Sequence, residues 1–378
     1  MSQALALASI DAIAPTAWDA LFVRELEGHA YLRAVERAGL AGFRQVYFVV
    51  REGVRLLAAV PAFVTDYRLD TTVQGGLRCI TRPLAALFPK LLRIPMLALG
   101  SPVTERCRVG YVAGATPEQQ AQWLDAILVQ AEAYAGEHQL GMLAIKDAPV
   151  DERVWQCICP AHGLRALPGL PGATLTIRWR SVDEYIHSLG AATRKSLRRK
   201  RRAGAGLRIE WRSDLDGIAE AVQRLYRETL AHAEFAFEEL TPDYFANVLH
   251  ELRGHAYCVT YSESDRLLAF NLVLQDEHRL LDKFLGMDYT AMDRYNLYQL
   301  SWLENVRHCI DGGIGVYESG QGLHQEKRRL GSTLAANALW YRHRNRFLDG
   351  VLARVDGLAR LDRGDDTGPA PATGTHHG

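Results

Sequence analysis

The sequence predicts an α/β (α+β) fold in which one strand-and-helix unit occurs twice. The hairpin pattern of Tyr47–Ala58 (YFVV…RLLA) returns at Tyr257–Ala269 (YCVT…RLLA). The helix pattern of Trp123–Ile127 (WLDAI) returns at Trp302–Val306 (WLENV), and each helix is followed by a strand that begins near a glycine. Because both matches occur in the same order, we interpret the chain as two copies of one unit.

Length and composition place the chain among globular proteins of two or three domains. It has 378 residues, of which 48% are hydrophobic and 23% charged, enough apolar surface for full cores without disulfides. Lys+Arg and Asp+Glu both number 44, so net charge predicts no polyanionic partner.

Cysteine usage and hydropathy indicate a cytoplasmic location. Only Cys157 and Cys159 lie close together, and C-x-C alone is not a zinc spacing, so we expect six reduced thiols and no metal. The first ten residues lack the basic start and apolar core of a signal peptide. No apolar run reaches the ~18 residues of a membrane span.

The first half, expected as a domain over residues 1–165, contains helices, one hairpin and an irregular insertion. Apolar spacing predicts a helix at Glu118–His138, and the Glu52-Gly53 turn joins two alternating segments into a hairpin. Residues 66–117, rich in Gly and Pro, predict loops with a short helix and one strand. The remaining elements predicted here are helices at Pro15–Leu26 and Ala30–Ala38 and strands at Phe43–Arg51, Arg55–Thr65 and Met142–Lys146.

The second half, expected over residues 166–350, follows a Pro- and Gly-rich crossing at Pro160–Gly172. Ser181, with Glu184 three residues later, predicts a capped helix start. The other predicted helices are the continuation to Arg202, Leu215–Leu230, Thr241–Leu252 and Asn296–Ile310. The predicted strands are Thr174–Trp179, Leu207–Trp211, Ala256–Tyr261, Leu267–Gln275, Arg279–Met287 and Ile314–Glu318, with Leu334–His343 a strand or a short helix. Residues 351–378 form an extension whose Gly/Pro/Asp-rich end we expect to be disordered.

The segment Tyr317–Gly331 (YESGQGLHQEKRRLG) is the strongest candidate for a site. It follows an apolar strand, and its glycines permit turns that other residues resist. Glu318 and His324 are candidate bases, and a salt bridge from Glu318 to Lys327 or Arg328 is the alternative structural role. Asp282 and Lys283 stand among apolar residues in mid-strand, where we expect them to face a cleft.

Several of these segments resemble the GNAT superfamily of acyltransferases, in particular its FemAB-like branch (peptidoglycan biosynthesis/recognition, BioF2-like) with tandem domains. The resemblance covers most of residues 10–350 and rests on Trp18-Asp19, Phe88–Pro95, the basic run Arg194–Arg201 and Glu318–His324. It implies two GNAT-like domains, each a mixed central sheet flanked by helices. It also implies transfer of an acyl or aminoacyl group to an amine, small-molecule or peptide, with acyl-CoA as co-substrate and no tightly bound cofactor. The copy without the Glu318–His324 motif would be the degenerate one.

The resemblance also implies where donor and bases lie. In this fold the donor occupies a splay between two central strands, with its phosphates at a helix N-terminus, here Tyr295 and Asn296 beside Arg294. The residues assigned to catalysis are Glu318, His324 and Lys283. Those assigned to the donor are Arg294, Tyr295, Asn296, Gln321, Lys327, Arg328, Arg194 and Arg198. One departure concerns the phosphate loop: Asp288–Tyr295 has no glycine, so aminoacyl-tRNA remains an alternative donor.

The basic run is the third distinctive feature. Seven of the nine residues from Arg194 to Arg202 are Lys or Arg, a density that repels itself on a helix unless something anionic offsets it. Either Glu and Asp residues elsewhere in the chain pair with a solvated face, or an anionic partner binds there. CoA phosphate, tRNA backbone and an anionic lipid surface all fit, while the lack of interleaved aromatic residues argues against base stacking. Three functions therefore stay open: an acyl-CoA-dependent N-acyltransferase, a Fem-like aminoacyl-tRNA-dependent transferase, and a non-catalytic protein that binds nucleic acid or membrane.

Overall fold

The structure, a computed structural model, describes residues 2–68, 93–233, 237–350 and 352–354. The expectations for Cys79, for the Phe88–Leu92 part of the family motif and for the tail after Asp362 fall outside these residues. Within the described ranges the chain forms fifteen strands and eleven α-helices.

The longer predicted helices are present, but the helix expected at Pro15–Leu26 ends at Asp19, and His324–Arg329, expected in a loop, is helical. The predicted helix at Glu118–His138 is α3, and its cap is reciprocal: Thr116 Oγ1 accepts from the Gln119 N–H (3.3 Å), and Gln119 Oε1 accepts from the Thr116 N–H (3.0 Å). Ser181 Oγ caps α5 by accepting from the Glu184 N–H (3.1 Å), as predicted. The helices are α1 Pro15–Asp19, α2 His29–Ala38, α3 Pro117–Glu137, α4 Arg153–Ile158, α5 Val182–Ser188, α6 Ala191–Ala203, α7 Ala219–His232, α8 Pro242–Glu251, α9 Met292–Tyr295, α10 Leu297–Gly312 and α11 His324–Arg329.

The strands form two mixed sheets. The first has the order β1-β2-β3-β4-β6-β15-β7, with β5 paired to β3, and the second has the order β14-β8-β13-β12-β11-β10-β9. Their bounds are β1 Gln3–Leu7, β2 Phe43–Glu52, β3 Arg55–Arg68, β4 Arg93–Leu99, β5 Gly110–Tyr111, β6 Met142–Pro149, β7 Arg165–Pro168, β8 Gly172–Thr176, β9 Arg208–Arg212, β10 Ala256–Glu263, β11 Arg266–Gln275, β12 Arg279–Met287, β13 Val316–Glu318, β14 Thr333–Ala335 and β15 Asn337–His343.

The two sheets repeat one topology, which confirms the tandem arrangement. In each, a strand that follows a hairpin is joined through a long helix to a parallel neighbour: β4 to β6 through α3, and β12 to β13 through α10. All other pairings are antiparallel. A parallel pair requires such a crossover because both strands must start at the same edge.

One strand, β15, crosses from the second half into the first sheet, whereas β8 stays in the sheet of its own half. β15 comes from the end of the chain, but it pairs with β6 and β7 in the first sheet. β8 lies near the middle of the chain and pairs with β13 and β14 in the second sheet. Residues 337–343, expected in the second domain, therefore lie in the sheet of the first.

Apolar clusters lie on the faces of both sheets and where the halves meet. One cluster joins α2 of the first half to α7, α8 and the second sheet, and within it the hydroxyls of Tyr31 and Tyr244 are hydrogen-bonded at 2.8 Å. Both residues are fully buried. Among the described residues, no helix has the length and apolar character needed to cross a membrane.

Candidate active site

The parallel strands β12 and β13 separate soon after they pair. Their contact is limited to Arg279–Leu281 opposite Val316–Glu318. β12 then continues to Met287, whereas β13 ends at Glu318. β12 also has a bulge at this level, because its register against β11 shifts between Asp282 and Phe284. The result is a gap between two central strands, bounded on one side by the start of α10.

Alternation along the strands sends neighbouring side chains to opposite sides of the gap. Leu281, Lys283 and Glu318 line a cleft on one face. Leu280 and Tyr317 belong to the cluster under α10 on the other face, and Asp282 bonds to that side. The prediction that Asp282 faces the cleft is therefore wrong.

The cleft lies between the two halves and is open to solvent. The second half supplies its floor from β8, β12 and β13, and the first half supplies one wall from α1 and the segment Thr104–Arg108. Its charged lining residues are Glu25, Glu27, Glu105, Arg106, Arg108, Arg279, Lys283 and Glu318. Among the described residues no His/Cys/Asp/Glu group has an arrangement that could hold a metal ion.

Glu318, a predicted base, is the last residue of β13 and lines this cleft. Its side chain is 23% exposed, and its Oε1 lies 3.8 Å from Nη1 of Arg279. Arg279 is held in turn by Glu25 (3.3 Å) and Asp276 (3.6 Å), and its side chain is 15% exposed. Glu318 therefore has one fixed cationic neighbour and access to the cleft.

Lys283 also lines the cleft, but it is engaged in a buried ion pair. Its Nζ bonds to Glu27 Oε1 and donates to the Val103 carbonyl (2.8 Å), and it lies 5.3 Å from the centre of the Tyr31 ring. Burial acts to lower the pKa of Lys283, but Glu27, Tyr244 and Glu105 together outweigh burial and raise that pKa. A lysine held protonated in this way does not serve as a base, so this geometry gives no support to the predicted catalytic role.

Asp282 is the centre of a buried hydrogen-bond network under α10. It accepts from Asn271 Nδ2 (2.6 Å), from the Tyr317 hydroxyl (2.8 Å) and from Asn305 Nδ2 (3.3 Å). Burial raises the pKa of its carboxyl group, while the bonds from Asn271 and Tyr317 lower it. The network fixes the side of the strand gap that faces away from the cleft.

The glycine loop (Ser319–Leu323) is organised around Lys327, which is only 4% exposed. Its Nζ donates to the carbonyls of Ser319, of Gly320 (2.9 Å) and of Gln321 (3.4 Å). Burial lowers the pKa of Lys327. The prediction that Lys327 contacts a donor phosphate is not supported, because its ammonium group is already enclosed by the loop.

Gln321 connects the glycine loop to the first half of the chain. Its backbone N–H donates to Glu105 Oε1 (2.9 Å). Its side-chain Nε2 donates to Asp147 Oδ1 (3.0 Å) and to the Leu170 carbonyl (2.9 Å). Gln321 was predicted to bind the donor, whereas here it positions the loop against the wall of the cleft.

His324, the other predicted base, lies at the first position of α11. Its Nε2 is 3.1 Å from the Pro171 carbonyl and 3.4 Å from the Gly322 nitrogen. It is not among the described residues that line the cleft. The structure therefore does not bring His324 and Glu318 together in one cavity.

The start of α10 has the features of the predicted donor site. Asn296 caps the helix by accepting from the Gln299 N–H (3.1 Å), in a left-handed conformation with φ of 49°. Arg294 is 66% exposed and pairs with Glu263 (2.7 Å), and the Tyr295 hydroxyl donates to the same carboxylate (2.6 Å). Of these residues, Arg294 is the one whose charge is open to solvent.

The basic run forms α6, which packs beside α10 through Gly204 and Leu300. Three of its cations are engaged: Arg194 and Arg198 bond to His187 (3.2 and 2.9 Å), and Arg201 pairs with Asp183 (2.8 Å). Four exposed basic side chains near this helix have no partner within the described part of the chain: Lys195, Arg199 and Arg202 on α6, and Arg328 on α11.

Residues 191–328 match the family model described as acetyltransferase (GNAT) domain. This segment is similar to GNAT acetyltransferase domains and covers less than half of the chain. The matched residues run from α6 to α11 and so include β12, β13 and the gap between them. The expected enzyme class, an acyltransferase, is confirmed, and the expected superfamily is confirmed for this segment.

Solved structures are similar in fold to about 90% of the chain. FemX is 14% identical, with a TM-score of 0.58 over 90% of this chain and 98% of that one. A tandem GNAT protein from the clavulanic acid biosynthesis pathway is 13% identical, with a TM-score of 0.52 over 91% and 98%. No curated protein matches the sequence significantly.

The sequence reasoning missed the wall that the first half contributes to the acyltransferase's cleft. Glu27 bonds to Lys283 across 256 residues of sequence, and Glu25 pairs with Arg279 across 254 residues. Such tertiary contacts leave no local pattern in the sequence. One local signal was present: Arg106 and Arg108 flank Cys107, a pattern that places two cations beside a buried residue.

Proposed function

We propose that the chain transfers an acyl group from acyl-CoA to an amine, with Glu318 as the base that takes the amine's proton. The position of Glu318 carries the proposal, since it ends the β12–β13 pairing and lines the cleft between the halves. An amine held in the cleft meets the thioester at the strand gap. There the C–N bond forms and the C–S bond breaks. The ammonium group of the acceptor gives one proton to the Glu318 carboxylate before it attacks, and the second proton that leaves the nitrogen goes to the CoA sulfur, so that CoA leaves as the thiol.

The donor's phosphates are assigned to the start of α10. Backbone N–H groups and the helix dipole favour an anion at Asn296, and Arg294 supplies an exposed positive charge next to it. Arg328 and the free cations of α6 are the further candidates for the phosphate groups. This arrangement places donor and acceptor on opposite faces of the second sheet.

Replacement of Glu318 by Gln tests the proposal. Because a positioned base contributes about 10²–10⁴-fold to rate, we expect E318Q to lower kcat by about that factor with unchanged thermal stability. Release of CoA thiol, measured with acetyl-CoA and longer acyl-CoA against a panel of amines, provides the assay. His324→Gln is the matched control, since His324 lies outside the cleft. Equal turnover by E318Q and the wild type would remove Glu318 from the reaction.

Aminoacyl-tRNA as the donor is the second candidate, and α6 favours it. The exposed Lys195, Arg199 and Arg202 offer three phosphate contacts, and the β12–α10 connection lacks the glycines expected for CoA pyrophosphate. Transfer from charged tRNA that is lost on RNase treatment and in the triple K195Q/R199Q/R202Q variant would establish this donor. Thiol release from acyl-CoA that the triple variant retains would exclude it. We set aside the non-catalytic alternative, because the chain is an acyltransferase.

A further inference from the structure

Arg106 and Arg108 of the first half face the cleft, on either side of the buried Cys107. Cys107 is fully buried in the first core, and its N–H donates to the Asp147 carbonyl (2.9 Å), which fixes the segment to β6. Arg106 and Arg108 both line the cleft, and both are half-buried. Their guanidinium groups are therefore held at the cleft by a rigid backbone.

The other charged groups of the cleft form a connected row of ion pairs. Arg108 Nε lies 3.4 Å from Glu25 Oε2, and Glu25 Oε1 lies 3.3 Å from Arg279 Nη2. Arg279 then reaches Glu318 at 3.8 Å. The row leads from Arg108 along the wall of the cleft to the proposed base.

Arg106 is the exception among these cations. Its side chain makes no hydrogen bond or ion pair with any residue in the described part of the chain, although it lines the same cleft. Burial raises the pKa of Glu152 and the charges of Arg108 and Arg106 lower it, so Arg106 acts on that carboxylate without forming an ion pair with it. A half-buried guanidinium without a paired carboxylate favours an anion, because a carboxylate or phosphate accepts two parallel bonds from it. Trp18 also lines the cleft, and its buried Nε1–H lacks an acceptor within the described residues.

We propose that Arg106, assisted by Arg108, binds an oxyanion group of the acceptor, so that the acceptor is an amine that carries a carboxylate or a phosphate. The inference rests on the proposed function, because it takes Glu318 as the point where the amine reacts. The amine lies at Glu318, at one end of the row of ion pairs, and the anionic group lies at Arg106, two residues from Arg108 at the other end. An acceptor of this class is oriented by charge at both ends.

Matched amines test the proposal in turnover. We compare 6-aminohexanoate with hexylamine, and O-phosphoethanolamine with ethanolamine, with acyl-CoA as donor. For the wild type we expect kcat/KM to be at least about tenfold higher for the anionic member of one pair, which also identifies the anion. Arg106→Gln removes that preference, whereas the KM for acyl-CoA stays unchanged. Arg208→Gln, an exposed arginine on β9 away from the cleft, keeps the preference.

A binding measurement separates this inference from the proposed function. Titration calorimetry of 6-aminohexanoate and O-phosphoethanolamine on the protein without donor requires no turnover. Binding that R106Q weakens about tenfold supports the anion site even if acyl-CoA proves not to be the donor. Equal affinity of the wild type for anionic and neutral amines overturns it, as does an R106Q defect confined to acyl-CoA.

Discussion

At the scale of single residues, Lys283 separates what the sequence reveals from what only the fold decides. A lysine between Asp282 and Phe284 in an apolar strand was correctly expected at the cleft. Its role was not predictable, because its counter-ion, Glu27, lies 256 residues away. Alternation along β12 predicts that Asp282 and Lys283 lie on opposite faces of the sheet. Which of the two faces forms the cleft depends on where the first half packs.

The Glu27–Lys283 pair is expected to stabilise the interface between the halves rather than to react. Glu27→Gln leaves a buried ammonium group without its counter-ion, so we expect a loss of about 3–5 kcal/mol in the free energy of unfolding. The double variant E27Q/K283M removes both charges and is expected to be more stable than E27Q. Urea unfolding of the wild type, E27Q, K283M and E27Q/K283M measures the coupling free energy between the two side chains. An E27Q protein as stable as the wild type would contradict a charged buried pair.

At the scale of the element, the glycine loop and α11 form one unit around Lys327. Positive φ at Gly320 (78°) and Gly322 (92°) agrees with the turns that the glycines predicted. The direction of the carbonyls could not be read from the sequence. α11 begins directly after the loop and returns Lys327 beneath it, so the loop carbonyls point at an ammonium group instead of at a ligand.

Substitutions of Lys327 and of its neighbour Arg328 are therefore expected to have different effects, the first on stability and the second on donor binding. Lys327→Met leaves the loop carbonyls without their donor, and since each buried unsatisfied group costs about 1–3 kcal/mol, we expect a clear loss of thermal stability. Arg328→Met changes an exposed side chain, so stability stays the same. If Arg328 contacts the donor's phosphates, its variant alone raises the KM for acyl-CoA, with a weaker dependence on salt. A K327M protein of normal stability with a raised KM for acyl-CoA would mean that Lys327 contacts the donor.

At the scale of the whole molecule, the repeat was visible in the sequence, but the crossing of β15 into the first sheet was not. The paired motifs at Trp123 and Trp302 reported the local order of helix and strand, and that order is present in both sheets. β15 is buried at most of its positions and carries no mark of the sheet it joins. β15 pairs with β6 and β7, and the strand edges that it pairs with form only when the halves fold.

Because β15 of the second half lies inside the first sheet, between β6 and β7, the two halves should unfold together. Trp340 of β15 is 8% exposed, belongs to the first core, and lies opposite Ile145 on β6 and Ala166 on β7. We expect Trp340→Ala to cost about 3–5 kcal/mol, with β3 and β11 losing protection from hydrogen exchange at one common urea concentration. Phe347→Ala, which removes an aromatic side chain that is 76% exposed, should leave that concentration unchanged. Loss of protection in β3 well before β11 would mean that β15 joins two independently stable domains.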